Sequence, residues 1–167
     1  MGFATPHVRP SVRRRPARLR TAGVTLPELL IGVAIVAILA GIAGPSFSDL
    51  IAAQRTRAAS TDLYLALAKA RSEAIKRNTN VTLSPKNGDW AEGWQILNPA
   101  DNTSKLEDHN ALNGITVTGP GAVVYQSTGR IRGNVRPEFD FSVSGTSAVA
   151  CVTVDLSGLP IQKSSSC

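Results

Sequence analysis

The chain has 167 residues, which is enough for one domain with a hydrophobic core and too few for two domains of ordinary size. Its net charge of +6 would fit a nucleic-acid-binding domain, but six of its eighteen basic residues lie before residue 24, where no acidic residue occurs. The rest of the chain therefore carries twelve basic and twelve acidic residues, and the basic character belongs to the N-terminal segment alone.

The first segment, residues 1–22, has a composition that cannot build a core. It contains six arginines and three prolines, and it has almost no apolar residue larger than valine or leucine. We therefore predict a disordered basic leader.

The next segment is apolar and long enough to cross a bilayer. From Val24 to Gly44 there are 21 residues with a single ionisable group, Glu28, and about 20 apolar residues in a helix span the hydrocarbon core. The arginines upstream place the N-terminal end in the cytoplasm by the positive-inside rule. We predict a transmembrane helix over residues 24–44, with the chain that follows it exported.

Two simpler interpretations of this segment leave something unexplained. A secretory signal peptide would be cleaved after the apolar run, near Ala43, but Glu28 and Pro45 argue against it. A plain membrane anchor does not explain Glu28, whose carboxylate is costly in lipid unless it is paired. Thr25 and Glu28 also have the spacing of a capping box, and Pro27 is tolerated in the first turn of a helix.

The helix is predicted to continue over residues 45–78 as an amphipathic second half. Gly44 and Pro45 should interrupt or kink it, because proline removes the hydrogen bond to the Gly41 carbonyl. Beyond them the chain lacks glycine and proline up to Arg77, and apolar residues recur at spacings of three and four, which predicts one buried helix face: Leu63, Ala66, Leu67, Ala70 and Ala74.

Alternating patterns replace the helical one over residues 79–167. Six short strands separated by glycine, proline and asparagine turns are predicted. In the clearest of them, Phe139, Phe141 and Val143 share one face. The fold class is therefore α+β, with a long N-terminal helix packed on a small antiparallel β-sheet. The predicted strands are Val81–Leu83, Trp94–Leu97, Ile115–Val117, Val123–Gln126, Glu138–Val143 and Val149–Leu156.

The two cysteines, Cys151 and Cys167, both lie near the end of the chain, without a C-x-x-C motif or a histidine beside them. This arrangement does not favour a zinc site. In an exported domain they could form a disulfide that closes a loop of about 15 residues, worth about 3 kcal/mol. Two free thiols are the alternative.

No pattern in the sequence indicates an enzyme. His7 lies in the leader, and His109 stands beside Asp108 in a polar segment that is more typical of a surface loop than of a catalytic triad. The sequence contains no P-loop, no G-x-S-x-G motif and no metal-ligand cluster. We therefore expect no catalytic residue, metal or cofactor.

The residues from Gly23 to Leu29, read with the basic leader and the apolar helix, resemble the type III signal of type IV pilins and type II secretion pseudopilins. The resemblance implies that prepilin peptidase cleaves after Gly23 on the cytoplasmic side, removes residues 1–23 and leaves Val24 to be N-methylated. Val24 departs from the usual phenylalanine, which is a mild departure.

The same resemblance gives Glu28 a role in assembly. A buried carboxylate is tolerable beside a cation, and the new α-amino group of a neighbouring subunit supplies one inside a filament of packed helices. It also implies an inner-membrane protein with a periplasmic domain that later enters a pilus or pseudopilus, and it agrees with a helix-breaking Pro45.

A second resemblance covers the domain. The segment Trp90–Trp94 followed by Asn98–Asp101, the later Tyr125–Arg130 and the terminal Cys151–Cys167 segment are similar to the GspH/FimT group, which contains H-type pseudopilins and FimT-like minor pilins. A tight turn that brings two tryptophans into a core is the simpler interpretation of the first segment. The resemblance implies a pilin-like structural subunit whose partners are other minor pilins, the major subunit, prepilin peptidase and the inner-membrane assembly platform.

DNA binding is the alternative function. Some FimT-like proteins bind DNA through a Gly-Arg-x-Arg motif after the last strand, but that position here is Gly158–Ile161 and lacks both arginines. Gly129–Arg132 has the same letters one strand earlier. Arg130, Arg132 and Arg136 form a basic cluster that could hold phosphates, or they could belong to a solvated hairpin turn.

Overall fold

The computed structural model describes the backbone of residues 23–167 and all of their side chains except those of residues 42–46. The predicted leader, residues 1–22, lies outside the described residues. The described chain divides into two compact units between residues 40 and 41. The first unit contains the start of the long helix, and the second contains the rest of that helix and all the strands.

The helix, α1 (Leu26–Arg77), has 52 residues and is capped at both ends. At its start the Glu28 carboxylate accepts a hydrogen bond from the Thr25 N–H at 3.4 Å, as in a capping box. At its end Asn78 has a φ of 50°, and the Thr79 N–H donates to the Ala74 carbonyl, which closes a Schellman-type cap.

The predicted interruption at Pro45 is not a break in the helix, because α1 continues through this residue as one helical element. A kink there stays a prediction. Within the described residues, no helix combines the length and the apolar character that are needed to cross a membrane. The predicted span over residues 24–44 includes three residues whose side chains are not described, and it also stays a prediction.

Eight strands follow the helix and form two four-stranded antiparallel sheets. The first sheet has the order β3-β2-β1-β5, and the second has the order β4-β6-β7-β8. The strands are β1 (Val81–Lys86), β2 (Asp89–Leu97), β3 (Lys105–Asp108), β4 (Thr116–Thr118), β5 (Val123–Tyr125), β6 (Glu138–Ser142), β7 (Val149–Val154) and β8 (Pro160–Lys163).

The α+β prediction is confirmed, and each of the six predicted strands is present, but the structure has eight strands in two sheets instead of about six strands in one. The structure adds β3 and β8, which have polar sequences and lie at sheet edges. It also lengthens β1 and β2 into a hairpin closed by Asn87 and Gly88, with φ values of 51° and 81°. Two residues with positive φ are the signature of a type I′ turn, whose twist suits a two-residue hairpin.

One hydrophobic core joins α1 to both sheets. The predicted apolar face of the helix is fully buried in it, which confirms that prediction, and so are Phe139 and Phe141 from the clearest predicted strand. The first sheet contributes Trp94 and Ile96 to the same cluster. Because this core fixes the second half of α1 to the strands, the helix and the sheets of the second unit form one domain.

Candidate functional site

The predicted processing motif lies at the start of α1. Gly23 and Val24 precede the helix and are exposed, and no other described residue lies within 4 Å of the Cβ position at Gly23. The helix begins directly afterwards, with the Leu29 N–H donating to the Thr25 carbonyl at 3.1 Å. The side chain of Glu28 is exposed, and within the described residues its hydrogen bond is to the Thr25 N–H.

The first four turns of α1 are apolar on every side. Nine large aliphatic side chains in this stretch are between 53% and 73% exposed, although burying each one would be worth about 1.5–3 kcal/mol. An apolar surface of this extent is typical of an interaction surface, and among the described residues no side chain covers it. The nine residues are Leu26, Leu29, Leu30, Ile31, Val33, Ile35, Val36, Ile38 and Leu39.

The two tryptophans of the segment Trp90–Trp94 are core residues. They lie in strand β2, so the interpretation of this segment as a tight turn is wrong, although both side chains are buried as that interpretation expected. The Trp90 indole N–H donates to the Pro120 carbonyl at 2.6 Å, and its ring meets Phe139 edge-on. The two tryptophans therefore support the fold, while Glu92 between them is exposed.

Asp108 and His109 contact different side chains, and the His109 Nε2 atom lies 3.4 Å from an Asp62 carboxylate oxygen. Asp108 forms ion pairs with Lys86 and Lys105, and hydrogen bonds from these two lysines lower the pKa of its carboxyl group. The His109 ring stacks on Trp94 with the ring centres 3.9 Å apart. Among the described residues, no group of three His, Cys, Asp or Glu side chains is placed to hold a metal ion.

The arginine cluster lies in and after a turn that follows β5. The Gly129 N–H donates to the Gln126 carbonyl, and Ile131 forms a bridge with Tyr125. Ile131 is buried, while Arg130 and Arg132 on either side of it are exposed, as is Arg136. The structure thus places three arginines at the surface near one another in sequence, and a DNA-binding role for them stays a prediction.

The end of the chain is attached to the second sheet. Cys151 and Cys167 form a disulfide with their Cα atoms 5.1 Å apart, and the Cys167 N–H donates to an Asp140 carboxylate oxygen at 2.7 Å. Strand β8 is also attached to α1, because the Gln162 side-chain amide donates to the Ser60 hydroxyl at 2.6 Å. No sequence pattern indicated this last contact, since Gln162 lies in a polar strand that was not predicted.

Comparisons with known protein families give a match for the domain and a match for the N-terminal segment. Residues 59–158 match the family "Type II transport protein GspH", and residues 18–44 match the prokaryotic N-terminal methylation motif. No curated protein sequence gives a significant match.

Two solved structures share the fold. The type IV minor pilin FimU of Pseudomonas aeruginosa has a TM-score of 0.58 at 18% identity, over 66% of this chain and 89% of FimU. The minor pseudopilin EpsH of the Vibrio cholerae type 2 secretion system has a TM-score of 0.53 at 12% identity, over 66% of this chain and 97% of EpsH. These likenesses show a pilin-like fold. Because the family match covers more than half of the chain, the protein belongs to the family of the type II transport protein GspH and carries the prokaryotic N-terminal methylation motif.

Proposed function

We propose that this protein is a minor subunit of an envelope filament, either a type II secretion pseudopilus or a type IV pilus, and helps to initiate or cap it. Before assembly the subunit is held in the inner membrane by the start of α1, with its N terminus in the cytoplasm and its domain in the periplasm. The observation that carries the proposal is the uncovered apolar start of α1 with a single carboxylate, Glu28, in its first turn.

In this proposal the apolar start of α1 lies first in the membrane and later in the filament, and both environments cover its apolar side chains. In the membrane, lipid surrounds the nine exposed aliphatic side chains. In a filament, the helices of neighbouring subunits replace the lipid, so the apolar surface stays covered during the transfer. The domain needs no such cover, because its own core is closed by α1 and the two sheets.

In this proposal Glu28 determines where the subunit docks in the filament. A lone carboxylate in an apolar helix bundle is unfavourable unless a cation lies beside it. Cleavage between Gly23 and Val24 creates an α-amino group, and the amino group of a neighbouring subunit is the cation that this proposal pairs with Glu28. Prepilin peptidase supplies the cleavage, methylation then modifies Val24, and the inner-membrane assembly platform, the major subunit and other minor pilins are the partners.

The family to which this chain belongs is one of structural subunits rather than enzymes. We therefore propose that the protein acts by binding other subunits of the filament through its helix and its domain.

The substitution Glu28→Ala tests the proposed role of this carboxylate. We expect the variant to be cleaved after Gly23 as efficiently as the wild type, because the cleaved bond precedes the helix, but to be lost from filaments sheared from cells. Cleavage is read from the shift in size on an immunoblot, and incorporation from the amount of subunit in the sheared fraction.

The matched control is Glu28→Asp, which keeps the charge and should retain partial incorporation. Wild-type incorporation of Glu28→Ala would contradict the role assigned to Glu28. A loss of cleavage in both variants would show instead that this residue acts in processing.

A further inference from the structure

Strand β5 lies at one edge of the first sheet, and its outer side is only partly paired. On the inner side it pairs with β1, while on the outer side the Arg132 N–H donates to the Val124 carbonyl at 2.8 Å. The N–H and C=O of a residue in an antiparallel strand face the same side, so the Val124 N–H also faces outward. No backbone carbonyl of the described chain accepts a hydrogen bond from it.

The chain leaves this edge directly after Arg132. Gly133 has a φ of 115°, a conformation that residues with a side chain rarely adopt. Residues 132–137 then form no helix or strand before β6 begins at Glu138. The segment opposite Val124 therefore makes one of the two possible hydrogen bonds and turns away. An unpaired N–H at a strand edge is open to an acceptor from another molecule.

A groove of about 290 Å³ opens beside this edge, and we call it the β5 groove. It is lined by Val124 and Arg132 together with Val123 and Ile131, which are core residues only 2% and 5% exposed. Val135 also lines the groove and is 82% exposed, which is more than any other large apolar side chain of the described residues. The groove thus offers an apolar surface next to a free backbone donor.

Two prolines hold the walls of the β5 groove in place. The Pro120 carbonyl accepts a hydrogen bond from the indole N–H of the buried Trp90 at 2.6 Å, and the Pro137 carbonyl accepts one from the Val154 N–H at 2.9 Å. Proline also fixes its own φ. The groove is therefore formed before a ligand arrives, which lowers the entropic cost of binding.

The charged side chains of the β5 groove favour an anion. Arg132 and Arg136 line it, are exposed and form no ion pair with another described residue. Arg136 acts on Asp155 at longer range, because hydrogen bonds from Ser157 and, to a smaller extent, the charge of Arg136 lower the pKa of that carboxyl group. Glu138 is the single carboxylate in the lining, which therefore has two positive charges and one negative charge.

The size and chemistry of the β5 groove suit the end of a polypeptide chain. Its volume is at the lower limit of small-ligand pockets, about 300–1,000 Å³, which suits a terminal residue better than a long segment or a nucleic-acid duplex. A terminal carboxylate can accept hydrogen bonds from the Val124 N–H and from Arg132 at once. An apolar last side chain packs on Ile131 and Val135, whereas a duplex would also bring phosphates toward Glu138.

We propose that the β5 groove binds the free C-terminal carboxylate of a partner protein whose last residue is apolar. The Val124 N–H and the two arginines hold the carboxylate, and the apolar wall selects the last side chain. A second copy of this chain is not the partner, because its last residue, Cys167, is bonded to Cys151. The proposal concerns a separate binding site and does not depend on the filament function.

The test uses the full chain in detergent micelles and three acetylated peptides, Gly-Ser-Thr-Ser followed by Leu, Val or Phe. We expect at least one of them to shift the Val124 amide signal in NMR spectra and to slow its hydrogen exchange. The same peptide with an amidated C terminus should bind at least about tenfold more weakly, which corresponds to about 1.4 kcal/mol. A peptide that ends in serine should also bind more weakly. No shift with any of the three peptides, or equal binding by the amide, would overturn the proposal.

The arginines on either side of Ile131 give a matched pair of variants. Arg132→Gln should lower the affinity for the peptide at least about tenfold, because Arg132 lines the groove. Arg130→Gln removes the same charge from an exposed residue outside the groove lining and should stay within about twofold of the wild type. Both side chains are at the surface, so both variants should fold. Equal losses in the two variants would show general attraction to a basic surface and would overturn the proposal.

Sodium acetate and a duplex DNA oligonucleotide separate this ligand from other anions. Acetate has the carboxylate without the apolar side chain, so it should displace the peptide only at a concentration at least about tenfold higher than the peptide requires. DNA should not displace it at an ionic strength of about 0.15 M. Displacement by acetate or by DNA at a concentration equal to that of the peptide would overturn the assignment of the groove to a protein C terminus.

Discussion

Gly93 lies in the segment Trp90–Trp94 of β2 and allows this strand to approach the backbone of the loop that follows β3. Its φ is +93°, and a Cβ atom at this position would lie 2.2 Å from the His109 carbonyl oxygen and 2.8 Å from the Asn110 carbonyl carbon. Both contacts are with backbone, which cannot rotate away as a side chain could. The close approach also places the His109 ring on Trp94. The glycine between the two tryptophans is therefore required by packing as well as by conformation.

The substitution Gly93→Ala should destabilise the domain more than Gly88→Ala. Both residues have positive φ, +93° and +81°, so both substitutions carry a conformational cost of about 1–2 kcal/mol. Only Gly93 has backbone within contact distance of the added methyl group, because nothing lies within 4 Å of the Cβ position at Gly88. Urea unfolding followed by tryptophan fluorescence measures the difference. Equal losses in the two variants would contradict the role of close packing at Gly93.

At the scale of single residues, the sequence indicated which residues have a structural or functional role more often than it indicated which residues they contact. One interpretation of Trp90 and Trp94 correctly gave two buried rings although it placed them at a tight turn, and Glu28 was distinctive because it is the single charge in an apolar run. The stacking of His109 on Trp94 depends on a contact between residues 15 positions apart. No local pattern encodes a contact of that kind.

The disulfide and β8 form one element at the end of the chain. The disulfide joins the tail to β7, while Gln162 joins β8 to α1 through Ser60. Because β8 is short and polar, it depends on these two attachments for its position. The loop closed by the two cysteines has about 15 residues, which corresponds to about 3 kcal/mol of stability in the chain-entropy model.

The double substitution Cys151→Ala/Cys167→Ala should therefore lower the free energy of unfolding by about 3 kcal/mol. Reduction of the wild type should produce a similar loss, and the double variant should not respond to the reductant. Urea unfolding with and without reductant measures both effects. A wild type whose unfolding midpoint is unchanged by a reductant that breaks the bond would contradict the stabilising role.

The elements that the sequence missed share a physical reason. Strand β3 carries three charged residues out of four and is held at the sheet edge by the ion pairs Lys69–Glu107 and Lys86–Asp108. Strand β8 begins with Pro160, which suits an edge strand and lowers its strand propensity. In contrast, Phe139 and Phe141 alternate with polar residues and gave a clear signal. Strands that depend on edge pairing rather than on burial leave no alternating apolar pattern to recognise.

At the scale of the whole molecule, the chain combines a domain that has its own hydrophobic core with the start of α1, whose described apolar side chains are exposed. The second unit buries the predicted helix face against both sheets, whereas the large aliphatic side chains that are described in the first unit are more than half exposed. This contrast could be predicted from the sequence, because a run without charges and an amphipathic repeat are distinct patterns. It also supports the proposed function, in which lipid and then other subunits cover the exposed start of the helix.

The most direct test of this account is mass spectrometry of the subunit recovered from filaments sheared from cells that express the full chain. We predict an N-terminal peptide that begins with N-methylated Val24, which would show cleavage after Gly23, methylation and incorporation in a single measurement. Recovery of the chain only from the membrane fraction, with residues 1–23 still attached, would contradict the assignment of this protein as a processed filament subunit.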